Sequence, residues 1–254
     1  MTTWDLRTFL RALGATLLGI AVVWLVTAAS DEGQLTVGAR AGRTLPIAPV
    51  CSAVGAALAL GTARVRSEVR ALEAIGRSPS EIARPAALGA ALPSVLVGLA
   101  LVVSSAIDVS GFYPRPPRGD TFTYEAGVFT SPSLGVAIGA DGEPRAIAVA
   151  PRPADEGLPS GARVSAALAT AVAGLALALV TARAILRVSM LDRTARRRRR
   201  AMAVAGVFGC ALLTLIAFQA AAAHLAPAAL AAVPPLGLLA IALALYLPRR
   251  EATS

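Results

Sequence analysis

The chain contains no lysine at all, and only one histidine and two cysteines stand among its 254 residues. Each scarcity excludes something. A metal centre needs His, Cys, Asp or Glu at ligand spacing, and nothing of that kind stands near Cys51 or Cys210. Both lie inside apolar stretches and read as small packing residues. An intramembrane hydrolase needs a nucleophile with its base, paired aspartates or an HExxH helix, and a nucleotide-binding enzyme needs a phosphate-cradling glycine loop. The sequence offers none of these, so it reads as no enzyme and implies no cofactor. His224 sits alone at the end of an apolar block and reads as an interfacial residue.

Charged residues make up only 15% of the chain and hydrophobic ones 56%, which excludes an ordinary soluble domain. The apolar residues fall into six blocks, approximately Phe9 to Ala29, Leu45 to Ala63, Ala86 to Ile107, Val164 to Leu186, Ala201 to Ala223 and Ala226 to Leu247. About 20 residues each suffice to cross a hydrocarbon core of roughly 30 Å. The expected fold is therefore an all-α membrane protein of six transmembrane helices arranged 3 + 3. The first block is too long for the apolar core of a cleaved signal peptide and is read as a span. Near the midplane the spans hold essentially no ionisable residue, which excludes a self-energised proton- or ion-coupled transporter. Asp108, at the outer boundary of span three, reads as an interfacial cap.

With lysine missing, arginine alone carries the topology signal. Placing the N-terminus in the cytoplasm puts Arg7 and Arg11, the five arginines from Arg64 to Arg84, the eight from Arg183 to Arg200, and Arg249 and Arg250 inside, seventeen of the 24. Nine of the 15 acids then lie outside, so the inner segments carry net +11 and the outer ones −2, which together give the +9 of the chain. Both termini are expected in the cytoplasm. The basic run Arg196 to Arg200, in a loop Arg187 to Arg200 beside a span, reads as a stop-transfer anchor touching anionic headgroups, and no nucleic-acid partner is expected.

Three segments follow. Residues 1–108 hold spans one to three, 109–163 form a small β-rich outer segment, and 164–254 hold spans four to six. Asp31 to Arg43 reads as a Gly-rich polar loop outside, and Pro49 is expected to kink span two. In the outer segment a stiff run, Phe112 to Pro117, precedes three β-like stretches, Thr121 to Thr130, Leu134 to Ile138 and Arg145 to Ala150, the last two joined through Asp141-Gly142. A hairpin or a three-stranded sheet is expected there.

Between spans two and three lies a charged island, Arg64 to Pro85, reading RVRSEVRALEAIGRSPSEIARP. As a helix over 64–77 it sorts Val65, Val69, Leu72 and Gly76 onto one stripe and Arg66, Arg70, Glu73 and Arg77 onto the next. Glu68 falls on the opposite flank of the apolar stripe, within reach only of Arg64 one turn earlier, and is expected to be partly free. Gly76 supplies a stop, and Ser78-Pro79-Ser80-Glu81 is a capping box with proline at the first helical position, so a second helix begins at once.

The stretch from Leu45-Pro46-Ile47 through Arg84-Pro85, above all Glu68 to Ser78, resembles the coupling region of the LptF/LptG family, permeases of the lipopolysaccharide-export ABC transporter. The closing segment, Leu225-Ala226-Pro227 and Ala231 to Pro234 before a last span ending in Arg249-Arg250, resembles the same family. The resemblance implies an ABC-type lipid permease of the bacterial inner membrane, paired with a second permease subunit, homologous or identical, and driven by a dimer of a cytoplasmic ABC ATPase. It implies that Glu68 contacts the ATPase and that Leu72, Ile75 and Gly76 fit its groove, with Glu73 and Arg77 on the same coupling segment. A membrane lipid is the implied substrate and a periplasmic bridge protein a further partner. Where the family holds lipid phosphates with basic residues near the outer end of span one, this chain has Asp31 and Glu32, with Arg40 and Arg43 further on as the candidate ligands. Gly61 to Gly76 is also similar to the cytoplasmic loop of MlaE-type phospholipid permeases, and a membrane scaffold that binds a partner through the island is the alternative outside transport.

Overall fold

The computed structural model describes residues 2–31, 36–113, 123–125, 127–131, 136–139, 141–146, 158–188 and 193–246. Its helices are α1 (Thr3–Ser30), α2 (Val37–Thr44), α3 (Ala48–Gly61), α4 (Ala63–Ala74), α5 (Pro79–Val103), α6 (Ala162–Val188), α7 (Arg193–Ala222) and α8 (Val233–Tyr246). Six helical stretches are long and apolar enough to cross a membrane, α2 and α3 counting together as one and α8 together with the 3-10 turn Ala228–Ala232 before it, and each overlaps one of the six expected blocks. The chain is a mostly helical, multi-pass membrane protein with one small antiparallel sheet.

The bundle is built on α5 against α6, with α1 and α3 packed beside them and α8 against α6. Alanine and glycine fill the contacts. Gly89 of α5 meets the backbone of Phe9, Gly55 of α3 meets Thr16, and Gly174 of α6 meets Ser94, so the helices approach almost to backbone distance. Between α3 and α5 the buried hydroxyls of Ser52 and Ser94 share a 2.7 Å hydrogen bond, each satisfying a polar group that lipid could not. Cys51 and Cys210 are free and buried, as packing residues should be. By contrast, α1 and α7 stand at the margins, with 11% and 17% of their most apolar windows buried, so most of their leucines face outward.

Span two differs from expectation. The stretch 31–43, read as a loop, contains α2, whose Thr36 cap accepts from the Ala39 N–H at 3.3 Å. Glycine explains it: a Cβ at Gly38 or Gly42 would overlap the carbonyl oxygens of Ala106 and Asp108, and one at Gly111 that of Gly42, so these glycines are packing residues. A 3-10 turn, Leu45–Ile47, then joins α2 to α3. Pro46 and Pro49 both lie in first turns, where the missing N–H is no loss, and the α-helical pattern of the span is interrupted at the 3-10 turn just before Pro49. Span three also starts earlier than expected, because α5 begins at Pro79 and runs through Pro85 and Pro93 to Val103.

Two clusters mark the two ends of the bundle. One gathers Trp4, Val65, Val69, Ile82, Leu186 and Tyr246, so the beginning of α1, the end of α8 and α4 share one end of the bundle. Here Arg183, in the last part of α6, lies over the Tyr246 ring at 5.1 Å, and the Tyr246 hydroxyl donates to the Leu179 carbonyl at 3.1 Å. The other cluster joins Leu101, Val109, Phe112, Tyr113 and Phe218. Asp108 caps a 3-10 turn there, accepting from the Ser110 N–H at 2.8 Å and its hydroxyl at 2.7 Å, which is the capping role expected of it. Arg163 donates to the Leu101 and Ser104 carbonyls at 3.2 and 2.7 Å, closing the end of α5. The buried Tyr113 hydroxyl donates to the Ala162 carbonyl at 2.8 Å, and burial pushes its phenol up to about 12.

The sheet has four strands where three stretches were expected: β1 (Thr123–Glu125), β2 (Val128–Ser131), β3 (Val136–Ile138) and β4 (Pro144–Ala146), antiparallel in sequence order. Within the first expected stretch β1 and β2 form a hairpin, because Gly127 takes φ +82° and reverses the chain, which pairs Tyr124 with Phe129. Gly142, at φ +74°, turns β3 into β4 as the Asp141-Gly142 pair predicts. Pro114 to Pro117, Thr121, Leu134, Ile147 to Ala150, Arg249 and Arg250 lie outside the described residues. The basic run Arg196 to Arg200 belongs to α7, which starts at Arg193, and is helical instead of forming a loop. At the other end of α7 His224 takes φ +57°, and the bonds from His224 N–H to Ala221 and from Leu225 N–H to Ala220 close a Schellman turn. The lone histidine therefore has a backbone role that spacing could not reveal.

Candidate docking site

The island folds as helix, turn and helix, and local chemistry sets each boundary. Thr62 caps α4 by accepting from the Val65 N–H at 3.3 Å. At the far end, the Gly76 N–H bonds the Glu73 carbonyl at 3.0 Å and the Arg77 N–H the Leu72 carbonyl at 3.1 Å, a Schellman pair that needs φ +91° at Gly76. Two residues later Ser78 and Glu81 close the capping box, with the Ser78 N–H donating to Glu81 Oε2 at 2.9 Å and the Glu81 N–H to Ser78 Oγ at 3.3 Å. A fixed turn thus links α4 directly to a transmembrane helix.

The apolar stripe is seated as expected except at Gly76, which is exposed and lies beyond the end of α4. Val65 and Val69 are buried among Ala59, Leu60, Ile82 and Ala86, and Leu72 packs partly against the same cluster. Glu68 departs from expectation. Its carboxylate accepts from Arg64 Nε at 3.2 Å and also from the indole N–H of Trp4 at 3.2 Å, so it is not limited to Arg64 and is only 26% exposed. The first turn of α1 comes alongside α4, a contact across 64 residues that a single-helix projection cannot contain. Arg77 likewise leaves the expected arginine stripe, because the helix stops at Ala74. Its Nη2 pairs with Asp5 at 2.9 Å and its guanidinium lies 5.9 Å from the Trp4 ring. Glu73 Oε2 is buried and finds no hydrogen-bond partner among the described residues.

Glu68, Leu72, Glu73, Ile75, Gly76 and Arg77 are therefore brought together at one end of the bundle, in and just after α4. Arg40 and Arg43 are not with them. Arg40 belongs to α2, where it pairs with Asp31 at 2.7 and 3.1 Å and lies 5.8 Å from the Trp24 ring, while Arg43 is exposed. Glu32 lies outside the described residues. Sequence reasoning missed two features, one at this site and one at the other end of the bundle. One is the Trp4–Asp5 pair, signalled only by the capping box of Thr2 and Asp5 that starts α1. The other is an apolar crevice of about 120 Å³ between α3, α6 and α7, lined by Pro46, Pro49, Phe112, Leu177 and Phe218, which has no sequence signature.

Comparison with protein-family models, with curated proteins and with solved structures finds no match to this chain.

Proposed function

We propose that this chain is the permease subunit of an ABC-type lipid exporter, driven by a separate cytoplasmic ATPase that docks on α4. The observation that carries the reading is a capped amphipathic helix seated on the ends of the spans, joined through a fixed turn to α5. A push on α4 reaches α5 with little slack, because Gly76 and Ser78 leave no flexible linker between them. The excess of arginine at this end supports a cytoplasmic location, and the resemblance of Glu68 to Ser78 to LptF/LptG coupling regions supports an ABC ATPase as the partner. The substrate of this reading is a lipopolysaccharide-like membrane lipid. The bare faces of α1 and α7 suit contact with a second permease subunit as well as with lipid.

The full-length chain, extracted from its native membrane in mild detergent, is expected to co-purify with a protein that hydrolyses ATP, and added membrane lipid should stimulate that hydrolysis. Co-purification of a partner without nucleotide-binding activity would instead identify a scaffold. No partner at all under conditions that keep the chain folded would overturn both readings.

A further inference from the structure

The crevice between α3, α6 and α7 is a slot with a direction. Ala169, Ala173 and Leu177 of α6 form its floor, with Val50 on the α3 side and Ala211 and Leu215 on the α7 side. It follows α6 from 169 to 177 and α7 from 210 to 218, eight residue steps in each, or about 12 Å along the spans. It lies in the half of the bundle remote from α4. The floor is buried, while Val50 is half-buried and Leu215 exposed, because α7 packs on α6 and on the turn Ala228–Ala232 and barely touches α3. The slot thus opens sideways, between two spans. No charged side chain stands among its described lining residues, and the Thr214 hydroxyl is spent on the Cys210 carbonyl at 2.8 Å. At the end farthest from α4 the slot reaches Pro46, Gly111 and Phe112. Arg43 stands there. It lies one turn before Pro46 on the same side (i, i+3), and its backbone nitrogen would be 3.1 Å from a Cβ at Gly111. Its side chain is exposed and makes no ion pair among the described residues, whereas the nearby carboxylates of Asp31 and Asp108 are engaged by Arg40 and by Ser110.

We propose that this crevice seats one acyl chain of a phosphorylated membrane lipid and that Arg43, at its mouth, takes the phosphate. An apolar slot lying along the spans matches a lipid tail in direction as well as in chemistry. Spread over about 12 Å, a volume of about 120 Å³ admits one hydrocarbon chain but not a helix, which is about 10 Å across. Water gains nothing in a slot with no polar group to satisfy, so the surrounding hydrocarbon fills it. A guanidinium matches a phosphate in charge and in hydrogen-bond geometry, and this contact selects a phosphorylated lipid over a neutral one with the same tails. The site needs only that the spans lie in a bilayer. It stands apart from the docking of an ATPase on α4.

The test uses the full-length chain, purified without a partner in a neutral maltoside detergent, and two photoactivatable probes with identical tails. These are phosphatidic acid and diacylglycerol, each carrying a diazirine in one acyl chain, and adducts are mapped by mass spectrometry. Phosphatidic acid is expected to label the peptides holding Ala169 to Leu177 and Cys210 to Phe218 at least about tenfold more than diacylglycerol does. Arg43→Gln should bring that label down to the diacylglycerol level. Leu215→Trp, at the exposed mouth, and Ala211→Phe, on the α7 wall, should each empty the crevice of label while adducts on the outward face of α1 stay within about twofold and the melting midpoint is kept. Label spread evenly over the outward faces of the spans, and indifferent to either filling variant, would overturn the site. Crevice label that is equal for the two probes, or unchanged by Arg43→Gln, would overturn the role of Arg43 and with it the selection for phosphate. Because no ATPase is present, neither result bears on the docking reading.

Discussion

Gly89→Val is expected to lose most of the folded protein, lowering stability by about 3 kcal/mol, whereas the same substitution at Gly14 should cost under about 1 kcal/mol. The difference lies in what a Cβ meets. At Gly89 it would run into the carbonyl and Cα of Phe9, backbone atoms that can yield only if all of α1 moves off α5. At Gly14 nothing lies within 4 Å, and valine there changes only helix propensity and lipid contact. Inside a bilayer little hydrophobic force holds helices together, so close backbone approach is a main source of cohesion and its loss is not recovered by burying a larger side chain. Thermal melting of the two detergent-solubilised variants checks this. Equal midpoints would mean that α1 is not seated on α5 as described.

Breaking the pair between Asp5 and Arg77 should cost about 2 kcal/mol. Removal of one partner from a buried pair costs roughly 3–5 kcal/mol, and the estimate is reduced here because the Arg77 side chain is 25% exposed. Asp5→Ala also removes the reciprocal cap of Thr2, about 1 kcal/mol of that loss. Arg77→Met leaves the cap in place and should destabilise less. The double variant should be more stable than the sum of the two losses by about 1 kcal/mol, since no unpaired charge remains. A double-mutant cycle on melting midpoints reads this directly. Strict additivity would show that the two residues, 72 positions apart, do not act together.

Local rules and hydropathy reached far in this chain, and their failures have physical causes. All six spans were legible because each apolar block is long and uninterrupted, and the helix starts at Ser78 and the stop at Gly76 were legible because caps are made within a few residues. Which side of each span faces inward was not legible. With apolar residues all round, the helical period vanishes, and the close helix contacts are made largely by small residues: Ala56, Ala87, Ala90 and Ala178 are fully buried, while Leu18, Leu25, Leu58 and Leu99 face outward. Helix α2 was missed because its glycines look like loop residues until the carbonyls of Ala106 and Asp108 are seen against them. At the candidate site the two valines and the turn were correctly placed, but the partners of Glu68 and Arg77 come from the first turn of α1. No periodicity within the island contains that information. The fourth strand was hidden for a similar reason, since Gly127 divides what reads as one continuous β-like stretch.

The central claim is that energy delivered at α4 moves lipid through this bundle. It is tested most directly by reconstituting the chain with its co-purifying ATPase and following transfer of a fluorescent phosphorylated glycolipid from proteoliposomes to acceptor vesicles. Transfer is expected with ATP and not with a non-hydrolysable analogue, and Ile75→Asp should reduce it to the level of the analogue. Transfer at the same rate with either nucleotide, or none while the partner hydrolyses ATP normally, would contradict the account.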